Sequence, residues 1–521
     1  MVEQPDNIIA SKAARSSSFE RNLIGVAKGG GITLAGKMFT NAIRLVTAFL
    51  LARLLGAEQY GMYQLSLNVI TLLAGLVLLG FERALTRFMA ISIARRDDEK
   101  TWGILQLGVG IPLLLSVLTN IGLFLLAYPV AEQVFNDVRM APLLQVVSIF
   151  ASFSALGDVL IGAVRGFKNM QYPVIAKFVA QPVVKLVLIG IVALFGLNVW
   201  HAVVIFGIGE LVTAVMLVYY LNRLFPLRRP FHAAQRNLKE MVAYAFPDWL
   251  AGLLTTFRIN IQALLIGTLG TIAGVGIFAV ADQLNKIGHD FYTSINTSAD
   301  PYIAELHDSG RKQELGQLYQ TATKWSLTIN LPFFLVFLLF SDQILSIFGE
   351  SFVGGATALI ILAWANLVDV GTGMCGTILS MSGYTKLKLV NNIVSITLSI
   401  GLNVLLIPRY GIVGAAISAL LVYIALNAIR ILQVYYLMHL IPYNLTFLKP
   451  IAAALVTFGI IFALKTWLPA DGNILFVAIY SFVLLGIFAG IIWILGLSAE
   501  DRMLLGRVLQ KTRSRFKGNR S

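Results

Sequence analysis

"FTNAIRLVTAFLLARLLG" (Phe39–Gly56) is an apolar run of membrane length with an arginine, Arg44, near its middle. A helix rises 1.5 Å per residue and a bilayer core is ~30 Å thick, so the run and a few flanking residues span it. A lone guanidinium at mid-bilayer costs roughly 2.5–3.5 kcal/mol on insertion scales. The run reads as a transmembrane helix whose charge needs a reason.

The rest of the chain has the same character. Of its 521 residues, 57% are hydrophobic and 13% are charged, against about 25% charged in soluble domains. This composition excludes a soluble globular protein and predicts an all-α integral membrane protein. Fourteen apolar spans are expected, near 31–54, 61–82, 103–128, 142–164, 174–196, 199–222, 243–269, 273–298, 325–348, 357–381, 389–407, 411–437, 450–468 and 474–496. The eighth is the least apolar.

Charge fixes an expected orientation. With the N-terminus inside, inner segments carry 29 Lys and Arg, outer segments carry 4, and 7 lie within spans. Basic residues mark the cytoplasmic side, so both termini are expected in the cytoplasm of a multi-pass plasma-membrane protein. The net charge of +14 then orients the chain, and nothing calls for nucleic acid. The polar N-terminus lacks a signal-peptide pattern. Ser17 and Glu20 have capping-box spacing there. The single cysteine, Cys375, excludes an intrachain disulfide and a cysteine metal site. The scattered histidines lack ligand spacing, so no metal is expected. Gly29–Gly31 is not followed by the Lys-Ser/Thr of a phosphate loop.

The chain repeats itself at an offset near 214. "RLVTAFLLARLLG" (Arg44–Gly56) falls on "RINIQALLIGTLG" (Arg258–Gly270), and "YGMY" (Tyr60–Tyr63) falls on "VGIF" (Val275–Phe278). "VYYL" occurs at Val218–Leu221 and again at Val434–Leu437. An offset held across six spans predicts two pseudo-symmetric six-helix lobes of the same orientation, plus two C-terminal helices. Such repeats place a site between lobes. The expected organisation is a cytoplasmic tail (1–28), an N-lobe (29–222), a basic linker (223–241), a C-lobe (242–438), spans thirteen and fourteen (450–496) and a basic tail (497–521).

Ionisable groups within spans face a bundle interior or a wet cavity. Lys37, Asn41 and Arg44 are spaced four and three apart and share one helix face. Asp248, Thr255, Arg258 and Gln262 do the same on the seventh span. Asp282, Lys286 and Asp290 form a stripe on the eighth, where Asp282 and Lys286 can also neutralise each other. Lys177 and Lys185 either line the same cavity or snorkel to an interface; Lys177 lies nearer a helix end and reads as a snorkelling anchor, as does Arg430, and Lys465 reads as an anchor at the outer interface. Arg44 and Arg258 lie mid-span and correspond under the repeat, which would set them on opposite walls of one cavity. Arginine grips phosphate through paired hydrogen bonds, so a lipid phosphate, a pyrophosphate or an acidic sugar suits that cavity. The expected substrate-binding residues are Arg44, Arg258, Lys37, Asn41, Gln262 and Lys286. The ion-coupling candidates are Asp282, Asp248 and Asp290.

"LARLLGAEQYGMYQLSLNVITLLAGLVLLGFERALTRF" (Leu51–Phe88) resembles the first two spans of the Wzx-like oligosaccharide flippases. "LNVLLIPRYGIVGAAISALL" (Leu402–Leu421) resembles their eleventh and twelfth spans. The resemblance implies a two-lobed exporter of the multidrug/oligosaccharidyl-lipid/polysaccharide superfamily. Its implied activity is flipping of polyprenyl-pyrophosphate-linked oligosaccharide, by alternating access, for O-antigen, capsule or exopolysaccharide export. The implied partners are that substrate, membrane lipids and polysaccharide-assembly proteins. No cofactor and no catalytic residue are expected, with H⁺ or Na⁺ as the coupling ion. The alternatives are a cation-coupled multidrug antiporter, a lipid II flippase, and a membrane polysaccharide polymerase or ligase.

Overall fold

The computed structural model describes residues 5–230, 235, 238–467 and 474–496; side chains are described for 38–230, 235, 238–247, 249–250, 252–467 and 475–496. Among the described residues every regular element is helical. The capping box at Ser17 and Glu20 and the basic tail at 497–521 lie outside the described side chains.

The longer helices in chain order are α1 (Pro5–Val77), α2 (Phe81–Ala94), α3 (Asp98–Leu125), α4 (Met140–Gly166), α5 (Gln171–Ala193) and α6 (Val199–Leu224). There follow α7 (Leu238–Leu269), α8 (Ile272–Asp308), α9 (Lys312–Ser346), α10 (Ala356–Thr372), α11 (Thr385–Met438), α12 (Leu448–Trp467) and α13 (Ile474–Ile494).

Eleven helices among the described residues are long and apolar enough to cross a membrane. Two of them each hold two predicted spans. α1 turns at Gly56 (φ 72°) and α11 at Gly411 (φ 56°), where a left-handed residue breaks the helical ladder without breaking the chain. The predicted eighth span is α8, whose polar stripe keeps it out of the apolar set. The predicted count of fourteen and the observed helices therefore agree.

Local chemistry sets several boundaries. Asp97 caps α3 by accepting from the Lys100 amide at 2.9 Å. Asn198 caps α6 in a reciprocal box with His201, and Thr271 caps α8 by accepting from the Gly274 amide at 3.0 Å. Each oxygen satisfies a first-turn N–H that has no partner inside the helix.

The chain divides into two compact units. The first comprises residues 1–55 and 62–260, and the second residues 56–61 and 261–521. In the first unit Phe81, Leu85, Met89, Val159, Ala163, Leu217 and Met241 pack into one core. The basic linker is fastened to the start of α3 in this unit. Trp102 donates Nε1–H to the Pro230 carbonyl at 3.1 Å, and Arg229 pairs with Asp98 at 2.8 Å. The N-terminal half of α7 also packs here, where Trp249 donates to the Gly75 carbonyl at 2.9 Å and Arg87 lies 4.4 Å from the Tyr244 ring centre.

The second unit is centred on Ile303, Tyr319, Met374, Cys375, Ile378 and Val434. Spans thirteen and fourteen dock through two lysines. α9 kinks at Phe340 (φ −131°, ψ 22°), and Lys465 of α12 donates to the adjacent Leu339 carbonyl at 2.6 Å. Lys449 donates to the Gly496 carbonyl just beyond the end of α13, at 2.7 Å. Lys465 is therefore a docking residue.

Candidate functional site

Arg44 lies on α1 ahead of the Gly56 turn, and Arg258 lies in the middle of α7. Both side chains are exposed. Neither makes an ion pair or hydrogen bond with a described residue. Asn41, one turn before Arg44, is half-buried and engaged. Lys37 and Asp248 fall on α1 and α7, but their side chains lie outside those described.

The other in-span cations differ from this pair. Lys286 and Asp282 of α8 form an i,i+4 ion pair at 2.5 Å. One predicted substrate ligand is thus bonded to one predicted coupling acid. Gln262 donates to the Ala415 carbonyl at 2.7 Å, which ties α7 to α11 just after the Gly411 turn. Asp290 is half-buried and engaged, and its carbonyl accepts from Thr293 and Ser294.

Lys177 is not a snorkelling anchor. It turns inward and pairs with Asp158 of α4. The reason lies in the backbone, because Val174–Ala180 of α5 is wound as a π-helix. π turns release backbone groups and re-aim side chains, and they concentrate at functional sites. The Phe178 carbonyl in this segment accepts from Thr40 Oγ1 of α1 at 2.7 Å. Thr40 and Arg44 share a face of α1, so the arginine's helix is hydrogen-bonded to the π segment.

Two turns beyond Lys177 along α5, Lys185 pairs with Glu210 of α6 at 3.1 Å and covers the Phe206 ring at 3.8 Å. Gln181 Nε2 donates to the same Glu210 oxygen. Gly209 makes the room: a β-carbon there would overlap the Lys185 chain. The four-residue spacing of Lys177, Gln181 and Lys185 is a sequence signal for one polar face. The nearness of Lys177 to a helix end points the other way, toward snorkelling.

A second polar cluster lies within the second unit. Asp369 of α10 is buried and accepts from Asn427 Nδ2 at 2.9 Å. His289 Nδ1 of α8 stands 3.9 Å from the same carboxylate and 3.3 Å from Asn366 Oδ1. Arg430 faces the Asn427 amide oxygen at 3.5 Å and packs over Gly376. It too points inward, because the open surface of Gly376 admits a planar guanidinium. The Asn427–Arg430 spacing of three was the available signal.

An apolar cleft of about 650 Å³ lies between α9, α10 and α12, lined by Leu331, Phe334, Trp364, Ile451 and Phe458 among others. It offers no charge to bind a head group. No group of three or more His, Cys, Asp or Glu among the described residues could hold a metal.

Membrane-length helices, α1 and α11 each turned once at a glycine, and ionisable groups held inside the helix bundles define a multi-pass membrane protein. The fold is similar to that of solved membrane proteins of the MOP superfamily. The lipid II flippase MurJ, in an inward closed conformation, superposes with a TM-score of 0.70 at 12% identity, covering 88% of this chain and 98% of that one. An inward-facing multidrug resistance MATE family transporter of the MOP superfamily gives 0.65 at 17% identity, covering 78% and 98%.

Residues 26–307, more than half of the chain, match the polysaccharide biosynthesis protein family, and the chain belongs to that family. Residues 247–405 also match the MatE family. Stage V sporulation protein B of Bacillus subtilis (strain 168) is 24% identical over 418 residues, which is 75% of this chain and 80% of that protein. A probable low-salt glycan biosynthesis flippase, Agl15 of Haloferax volcanii, is 25% identical over 259 residues, covering 49% and 54%.

Proposed function

We propose that the protein is a flippase that carries a polyprenyl-pyrophosphate-linked oligosaccharide from the cytoplasmic to the outer leaflet of the plasma membrane. One observation carries this reading: Arg44 and Arg258 are mid-span, exposed and without a described counter-ion. Lys177, Lys185 and Lys286 each have a carboxylate partner. A guanidinium stays charged in any site and binds phosphate through parallel hydrogen bonds. At that depth it is tolerated where it faces water. The pyrophosphate of a lipid carrier, or an acidic sugar, supplies the missing anion.

Lys37 and Asn41 extend the polar face of α1, and Gln262 and Lys286 add donors on α7 and α8. The sugar head group crosses through a wet cavity open to each side in turn, while the lipid tail stays in the bilayer. No covalent bond changes, so no residue is catalytic. Both termini lie in the cytoplasm, and a proton or sodium gradient drives the cycle, with Asp282, Asp248 and Asp290 as coupling candidates. The relatives support a flippase: Agl15 is named a probable flippase of glycan biosynthesis, and MurJ a lipid II flippase.

Reconstitution tests the reading. Proteoliposomes are loaded with lipid-linked oligosaccharides of defined sugar, and a leaflet-specific probe reports their sidedness. Protein-dependent translocation supports the flippase. No translocation, with efflux of cationic dyes instead, overturns it in favour of a multidrug antiporter.

A further inference from the structure

The polar stripe of α8 continues past its three charges. Asp282, Lys286 and Asp290 are followed at helical spacing by Thr293, Ser294, Thr297 and Ser298, so all share one side of the helix. From Asp282 to Ser298 the stripe runs about 24 Å, at ~1.5 Å per residue. The opposite side, with Ala281, Leu284, Gly288 and Tyr292, is buried in the second unit. Turned toward lipid, the stripe would carry three ionisable groups into hydrocarbon, which such groups avoid. It therefore faces water.

The four hydroxyls are exposed, and each spends its hydrogen on its own helix. Thr293 Oγ1 and Ser294 Oγ donate to the Asp290 carbonyl at 3.0 and 2.7 Å. Thr297 Oγ1 donates to the Thr293 carbonyl at 2.9 Å, and Ser298 Oγ to the Ser294 carbonyl at 2.8 Å. A hydroxyl has one hydrogen and two lone pairs, so the ladder presents only acceptors to its surroundings. Asn296, on the flank of the same stretch, holds its amide oxygen buried with no donor among the described residues. A buried acceptor of this kind calls for a donor from outside. The lysine of the stripe is already neutralised, since Lys286 pairs with Asp282 at 2.5 Å.

Architecture does not account for the ladder. Among the described residues, its hydroxyls bond to no other element. At the offset that sets Gly61 on Gly276, the four positions fall on Leu78, Leu79, Glu82 and Arg83. The repeat that builds both lobes therefore does not require hydroxyls here.

We propose that Thr293–Ser298 of α8 is the glycan subsite of the transported lipid, selective for uncharged, hydroxyl-rich sugars such as hexoses and N-acetylhexosamines over acidic ones. The subsite rests on the flippase reading and divides the substrate between two chemistries. Arg44 and Arg258 take the pyrophosphate, and α8 takes the sugars. Sugar O–H and N–H groups donate to the outward lone pairs and to Asn296 Oδ1. An ionised uronic acid brings a carboxylate that only accepts, and it meets acceptors.

Two lipid-linked trisaccharides on the same polyprenyl pyrophosphate test the subsite in proteoliposomes of the full-length protein. One holds neutral sugars alone, and the other has a uronic acid in place of one of them. The parent protein is expected to translocate the neutral substrate faster. In the fourfold variant Thr293→Val, Ser294→Ala, Thr297→Val, Ser298→Ala, that rate is expected to fall roughly tenfold through loss of sugar hydrogen bonds. Translocation of polyprenyl pyrophosphate without sugar is expected to stay at the parent rate. If the fourfold variant does not fold, Thr293→Val with Thr297→Val gives the same comparison on half of the ladder, and Thr293→Ser with Thr297→Ser, which keeps the oxygens, should match the parent. Equal parent rates on the two trisaccharides, or a hydroxyl-free ladder that keeps the parent rate, overturn the subsite and leave the flippase reading intact. Translocation of neither trisaccharide by the parent overturns the flippase reading, and the subsite with it.

Discussion

Gly61 and Gly276, which the internal repeat places in register, meet backbone to backbone. A β-carbon on Gly61 would overlap the Ile272 carbonyl oxygen, and one on Gly276 would overlap that of Ala57 and lie 2.9 Å from the Gly61 amide nitrogen. Each repeat thus gives its glycine to the other's turn, and residues 56–61 belong to the second unit for this reason. Alanine at either position forces the backbones apart, a change that costs about 1–3 kcal/mol. Thermal melting in detergent is expected to show Gly61→Ala and Gly276→Ala clearly destabilised. Gly110→Ala is the control, since its β-carbon would meet nothing within 4 Å.

Arg44 and Arg258 have no described carboxylate to leave behind, so their loss leaves no orphaned charge and the fold should survive. Export should not. Arg44→Ala and Arg258→Ala are each expected to abolish polysaccharide export at normal expression, with lysine restoring only part, because a point charge lacks the paired hydrogen bonds. Normal export by both alanine variants, scored at matched protein levels, would remove the anion-site reading.

The Lys177–Asp158 contact makes a different forecast from a snorkelling lysine. Lys177→Leu leaves Asp158 uncompensated inside the first unit and is expected to destabilise strongly. Adding Asp158→Leu should recover much of the loss, since removing both charges is far less harmful than removing one. A double-mutant cycle on melting temperature reads the coupling. Additive effects would mean that the pair does not form in the membrane.

Lys465 satisfies the Leu339 carbonyl beside the kink of α9. Lys465→Met keeps the apolar stem and removes the donor. An orphaned buried acceptor costs about 1–3 kcal/mol. The expected outcome is a lower melting temperature and faster proteolysis at the α12–α13 connection, with Lys465→Arg close to the parent protein.

Much of the fold was legible because membrane insertion imposes a strong rule: each crossing segment must bury its own backbone polarity in a helix of sufficient apolar length. Spans three to seven could be read directly from that rule. α8 was harder, since its polar stripe weakens the apolar signal that length alone would give. The turns at Gly56 and Gly411 fall at predicted span boundaries, but the running of one helix through each turn was not legible, because only the backbone conformation of the glycine decides it. The arrangement of the in-span charges was half legible. The mid-span place of Arg44 and Arg258 follows from spacing alone. The inward turn of Lys177 and Arg430 does not, because a lysine near a helix end has two physical outcomes and only its neighbours choose between them.

By itself, the sequence determined the membrane class, the number of spans and the repeat that pairs Arg44 with Arg258, since these depend on apolar length and on the recurrence of rare charges. Only the tertiary structure decided which charges are spent on each other. Lys177, Lys185 and Lys286 found carboxylates within a few ångströms, a matter of a π turn, a neighbouring glycine and a single helical step. Arg44 and Arg258 have no such partner among the described residues, and the proposal of an anion site rests on that difference.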